Sequence, residues 1–338
     1  MKKGLFRLFA TITMVIGLSM MLLAFSGSAE AKALEFKLAH VGSMQHQYQL
    51  ASAYFKNLVE QRSKGEIKVN IFPQAQLGSE REEIEGVRMG TIEMAVVAAG
   101  GALPGWVPEL QVLGIPYLFQ NRKQAYAVLD GPIGEELSGL IQKKGFYNLG
   151  YWEVGFRNFS NNTRPIKTPS DMKGLKIRVQ ESKIWLQFIK SLGAIPTPIP
   201  FGELYSALQQ GVVDGQENPV ATIKSMKFYE VQKYLTLDGH TYEPAAVLVN
   251  PKWFDSLPQD QQKLIRQATR DTTRYIRNLL TQQEKEEVAF LKKQGVKVEE
   301  NPDIAAFAKA TENLYKVVSD TVPETLVKRI RAEVAKVK

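Results

Sequence analysis

The side chains best placed to do chemistry in this 338-residue chain are two arginines set among apolar and aromatic neighbours. In Leu175-Lys176-Ile177-Arg178-Val179, strand alternation puts Leu175, Ile177 and Val179 on one face and Lys176, Arg178 and Gln180 on the other. Arg178 stands at the C-terminal end of that strand. A guanidinium there can present two parallel N–H donors to a carboxylate, which the point charge of a lysine cannot copy. On spacing alone, a solvated strand face is the commoner setting for such an arginine. Arg157, in Tyr151-Trp152-Glu153-Val154-Gly155-Phe156-Arg157, carries the same two readings, although its aromatic neighbours make a wet face less natural. Further on, Gly211-Val212-Val213-Asp214-Gly215-Gln216-Glu217-Asn218-Pro219 reads as a short strand broken by a turn. Gln216 and Asn218 can each donate and accept, as a hydroxyl-bearing solute needs; a turn that bonds only itself is the alternative.

No pattern for bond-making chemistry accompanies these groups. The chain has no Gly-x-Ser-x-Gly elbow, Gly-rich phosphate loop, His-Glu-x-x-His motif or dinucleotide fingerprint. Its three histidines, His40, His46 and His240, are too scattered to suggest a ligand cluster. His40 or His240 could reach a cleft, against an ordinary hydrogen-bonded role for each. Glu82, Glu83 and Glu85 lie together on a helix and read as a solvated face. The absence of cysteine removes disulfides, thiolate metal sites and thiol nucleophiles together. No catalytic residue, metal or cofactor is therefore expected.

The elements that must position these groups alternate between strand and helix. Residues 34–38 and 67–71 alternate apolar with polar, residues 45–62 have helical spacing between them, and residues 94–99 form a continuous apolar run. A short helix over residues 79–89 opens on Glu80, Glu82 and Glu83. This pattern predicts a covered, largely parallel sheet, continued by a helix near residues 122–144 and a strand near 147–152. A second set follows the polar stretch 161–171: strand 175–179, helices 182–192 and 201–210, then the strand and turn at 212–219. Residues 242–250 read as a strand. Beyond Pro258 the chain is almost all helical, and residues 259–294 predict one helix of about 50 Å at about 1.5 Å per residue, further than one lobe of this size. Two α/β lobes with a cleft between them, spanned by that helix, are the expected fold, and solutes bind in such sheets where strand C-termini face a crevice.

Lys2, Lys3 and Arg7 precede an uncharged run from Leu8 to Phe25 and a small-residue exit ending Ala29-Glu30-Ala31, which reads as a signal peptide over residues 1–31 cleaved after Ala31. An uncleaved anchor is the alternative. The net charge of +8, of which the leader carries +2, is dispersed; no basic stripe interleaved with aromatics points to nucleic acid.

The motifs resemble, over essentially the whole mature chain, the receptor subunit of tripartite ATP-independent periplasmic (TRAP) transporters, in the dicarboxylate-receptor branch. The resemblance rests on Phe72-Pro73-Gln74-Ala75-Gln76-Leu77-Gly78, residues 171–179, Gly193-Ala194-Ile195-Pro196-Thr197-Pro198, Phe201-Gly202-Glu203-Leu204-Tyr205, residues 214–219 and residues 227–234, in order and correctly spaced. It implies a two-lobed α/β periplasmic-binding-protein fold of type II-like form, with lobe I built from residues 32–154 plus about 244–283 and lobe II from 155–243 plus about 284–338. It implies that Arg178 forms the salt bridge to a solute carboxylate, with Arg157 a second cationic contact, Asn218 a polar contact and Phe201 an apolar wall. Glu80 aligns with a position that meets the polar end of the solute in some members, and His40 lies where the first strand opens into the cleft. Gln180 departs from a common proline, and residues 98–104 lack the acidic group that some sugar-acid receptors place there. The implied partners are a small organic acid and the integral membrane subunits of the transporter, in the periplasm. The competing classes are a receptor for ATP-driven uptake, a sensor that serves a kinase, and a periplasmic enzyme acting on an organic acid.

Overall fold

The computed structural model describes residues 33–337; the leader and its expected cleavage point lie outside them. The first half runs β1 (Leu34–Ala39), α1 (Gln47–Arg62), β2 (Ile67–Phe72), α2 (Glu80–Met89), β3 (Met94–Ala98), α3 (Arg122–Leu129), α4 (Pro132–Lys143) and β4 (Tyr147–Asn161). The second runs β5 (Lys176–Val179), α5 (Lys183–Ser191), β6 (Ile195–Pro198), α6 (Leu204–Gln209), β7 (Gly215–Pro219), α7 (Val220–Ser225), β8 (Tyr234–Val249), α8 (Pro251–Ser256), α9 (Gln259–Lys293), β9 (Lys297–Glu299), α10 (Ile304–Thr311) and α11 (Glu324–Lys336). The single helix expected over 122–144 is two helices, because Pro132 at the first helical position cannot continue α3 and starts α4 instead.

The strands order as β2-β1-β3-β8-β4-β7-β5-β6, with β9 on β8. The sheet is mixed rather than largely parallel. Its flanks pair in parallel (β1 with β3, β5 with β6 and β7), while β8 runs antiparallel to β3 and β4, and β4 antiparallel to β7. The reason is the length of two strands. β4 continues to Asn161 and β8 begins at Tyr234, well beyond the apolar stretches legible in the sequence, and the two pair along their length from Tyr147↔Val249 to Asn161↔Tyr234. Both pass through the middle of the two-lobed fold. Their register shifts between Glu153 and Gly155, where Gly155 takes φ +122°, a conformation that side chains with a Cβ rarely adopt.

The long helix forms as expected. α9 spans 35 residues and packs on α1 and β4 in the first half and on α7 in the second. Its buried stripe of Ile265, Ala268, Ile276, Leu280 and Leu291 keeps helical spacing. The terminal helix α11 returns to pack against α3, and Arg329 reaches Glu136 at 2.7 Å. Among the described residues, no helix is long and apolar enough to cross a membrane.

Candidate functional site

Arg178 ends β5 and is only 3% exposed, so the solvated-face reading does not hold. Its Nε donates to Ile199 O at 2.8 Å, and its guanidinium lies over the Phe201 ring, 5.9 Å from the centroid. Among the described residues, no carboxylate comes within 4.0 Å of it. Burial pulls its pKa down to about 10; Glu217 opposes this shift and Arg157 adds to it. It remains a cation at neutral pH, and a buried cation without a counter-ion gains strongly from an arriving anion.

Arg157, on β4, is equally buried but already paired. Its Nε and Nη2 donate to the two carboxylate oxygens of Glu217 on β7, and its guanidinium lies 5.2 Å from the Trp185 ring. Burial alone would lower its pKa, but the charge and hydrogen bonds of Glu217, with the more distant Glu243, together outweigh burial and raise it. Glu217 also faces His240 Nε2 at 3.2 Å, while His240 Nδ1 faces Asp238 at 2.8 Å. Both ring nitrogens can donate only in the imidazolium form. Burial opposes that form, yet the two carboxylates prevail and raise the pKa. The row Asp238, His240, Glu217, Arg157 thus alternates acidic and basic groups and holds the Arg157 plane fixed.

Two small cavities, of about 50 and 20 Å³, meet at Arg178. Arg178, Glu80, Gln180 and Phe201 line both. The inner one is closed further by Arg157, Asn218, His46 and Tyr48, all buried; the outer one reaches Arg81 and Trp106. Asn218 donates from Nδ2 to Gln216, whose own amide donates to Ser160 Oγ at 2.7 Å, so the amides extend back through β7 rather than closing a turn on themselves. Glu80 occupies the first turn of α2, behind the Ser79 capping box, and accepts from Ala98 N at 2.9 Å; burial raises its pKa. Phe201 packs edge-on to His46 and Phe228.

The structure thus gathers Arg178, Arg157, Asn218, Phe201 and Glu80 around one space. His40 is not on its wall. It is fully buried, donates from Nε2 to Gln49 at 2.9 Å, and burial pushes its pKa down to about 4. The histidine that does line the space is His46, the N-cap of α1, held neutral by burial. His240 lies one layer behind, in contact with Glu217. Glu83 also departs from expectation: it is fully buried, neither carboxyl oxygen has a protein partner, and burial pushes its pKa up to about 10. Sequence reasoning passed over His46, Tyr48 and Glu217. Nothing in the sequence marked them: Glu217 sits in the polar segment Gly215–Pro219, whose complete burial only the fold reveals.

The description of bacterial extracellular solute-binding proteins, family 7, matches residues 38–321. The chain belongs to this family. Among family-7 relatives, the C4-dicarboxylate-binding periplasmic protein DctP of Rhodobacter capsulatus is 32% identical over 94% of each chain. A TRAP periplasmic solute-binding protein from Polaromonas sp. JS666, solved with D-erythronate, superposes with a TM-score of 0.86 at 36% identity, covering 88% of this chain and 98% of its own. The sugar acid binding protein DctPAm from Advenella mimigardefordensis, solved with galactonate, gives 0.88 at 34% identity, covering 91% and 99%. This family-7 chain therefore shares with them the two-lobed solute-receptor fold.

Proposed function

We propose that this chain is the periplasmic receptor of a TRAP transporter, taking up a small organic acid anion in the cleft and delivering it to integral membrane subunits. The observation that carries the reading is Arg178, a buried guanidinium that lines the cavity and, among the described residues, has no carboxylate within 4.0 Å. Arg178 anchors the solute carboxylate, Asn218 and the fixed plane of Arg157 flank it, Phe201 forms an apolar wall, and Glu80 meets the polar end. His40 acts only through the packing of β1 behind the site. The lobes divide at the β4–β8 register shift, residues 32–154 with 244–283 on one side and 155–243 with 284–338 on the other, α11 reaching back over the first. Closure about that shift buries the ion pair, and the closed surface is what the membrane subunits recognise. The related proteins' ligands, a C4-dicarboxylate, D-erythronate and galactonate, support a carboxylate as the common element. The test is a thermal-shift screen of small dicarboxylates, hydroxy acids and sugar acids, each beside its neutral amide. Stabilisation by acids and not by their amides is expected; equal stabilisation by the amides, or turnover of a bound acid, would sink the reading.

A further inference from the structure

Gln180 follows Arg178 by two positions, so alternation brings both side chains to the same face, and both line the two cavities. Its amide crosses from the end of β5 to the loop after β3. Nε2 donates to Glu243 Oε2 at 3.3 Å, and Glu243 Oε1 in turn accepts from Gly100 N at 2.7 Å. The amide oxygen fills the place a side chain at residue 101 would take: a Cβ built on Gly101 would lie 1.4 Å from it. Gly101 is not in the left-handed region, so it is space and not backbone conformation that requires glycine there. Glu243 is fully buried on β8, and Trp185 Nε1 donates to Gly100 O at 3.1 Å, which fixes the loop from the other side. The amide is therefore clamped at the boundary between the inner cavity, where Arg178, Arg157 and Asn218 converge, and the outer one. It is uncharged, so removing it breaks no ion pair, although Glu243 Oε2 loses its donor.

We propose that Gln180 determines the length of acid this receptor accepts: clamped by Glu243 and seated against Gly101, its amide partitions the space beyond the carboxylate anchor and excludes a longer hydroxylated chain. This rests on the organic-acid reading above. Acids that end at the partition keep their contacts, whereas longer ones must displace the amide and break its bond to Glu243. Variation of one residue at a partition of this kind changes discrimination by the worth of a few atoms, about tenfold or more.

The experiment is calorimetric titration of a graded series of aldonates, from glycerate through D-erythronate to galactonate, into the wild-type protein, Gln180→Ala and Gly101→Ala. In Gln180→Ala the affinity ratio of the longest to the shortest acid rises by about tenfold or more. In Gly101→Ala the new Cβ drives the amide toward the cavity, so the same ratio falls although the Glu243 contact is lost in both variants. A ratio within about threefold of wild type in Gln180→Ala, or movement of both variants in the same direction, overturns the proposal. If wild type binds none of the series the proposal also falls, and if no acid or dicarboxylate of the wider screen binds, the organic-acid reading falls with it.

Discussion

Arg178 and Arg157 show how little residue type alone decides. The two lie on β4 and β5, either side of β7, and are almost equally buried, yet Glu217 pairs directly with one and, among the described residues, no carboxylate comes within 4.0 Å of the other. A two-pronged cation in a desolvated cleft is poorly replaced by an ammonium, so Arg178→Lys is expected to weaken solute binding by about 2–5 kcal/mol while leaving the fold intact. Isothermal calorimetry reads the first and circular dichroism the second; an affinity within about threefold of wild type would remove Arg178 from the role of anchor. The distinction between the arginines was not legible in sequence, because the partner that settles Arg157 is 60 positions away. What was legible was local: alternation placed Arg178 and Gln180 on one strand face, and motif spacing drew attention to Asn218 and Phe201. His40 and His46 show the converse failure. They are six residues apart and similar in local context, and only the turn of the chain into α1 decides that His46 meets the cavity.

Among the elements, helices and short strands were readable where burial is one-sided. α1, α2 and α9 keep apolar residues at helical spacing, and β1 and β2 alternate cleanly. The long strands β4 and β8 were not, since their central halves carry Glu153, Arg157, Asp238, His240 and Glu243 into the interior, where hydropathy sees only polar residues. Such residues are tolerated because each meets a partner. Gly155 marks the point where β4 changes register. A Cβ there would lie 3.3 Å from Pro219 Cβ on a backbone at φ +122°, so Gly155→Ala is expected to destabilise the protein by about 1–3 kcal/mol. The midpoint of urea unfolding tests this, and an unshifted midpoint would show the bulge to be relaxed enough to accept a side chain.

At the scale of the whole molecule the buried charges give stability a definite dependence on pH. Glu83, pushed up to about 10, and Glu243, pushed up to about 7, are protonated in the fold more readily than in the unfolded chain, where the ordinary value is 4.5. Each therefore costs stability as pH rises from about 4.5 through its folded value. His240, raised above 6.5 by Asp238 and Glu217 against the cost of burial, contributes stability that is fully present below about 6.5 and is lost as pH rises through its folded value. All three act in one direction. Glu217, lowered by Arg157 and His240 despite burial, acts in the other: its contribution is present above the ordinary carboxylate range and disappears only as pH falls through its folded value. Stability should accordingly fall from the mildly acidic side of neutrality toward pH 8–9, each group that the fold holds protonated contributing about 1.4 kcal/mol per pH unit of that fall as an upper bound. Glu83 is the most direct probe, since neither carboxyl oxygen has a hydrogen-bond partner and it lies outside the solute cavity, its shift coming from burial and, after it, the charges of Glu80 and Glu82. Glu83→Gln removes an ionisable group that the fold holds neutral, so the variant should match wild type near pH 5 and exceed it at pH 8. Urea unfolding across that range decides the matter: a variant whose slope against pH stays parallel to that of wild type would mean that Glu83 ionises freely in the folded protein.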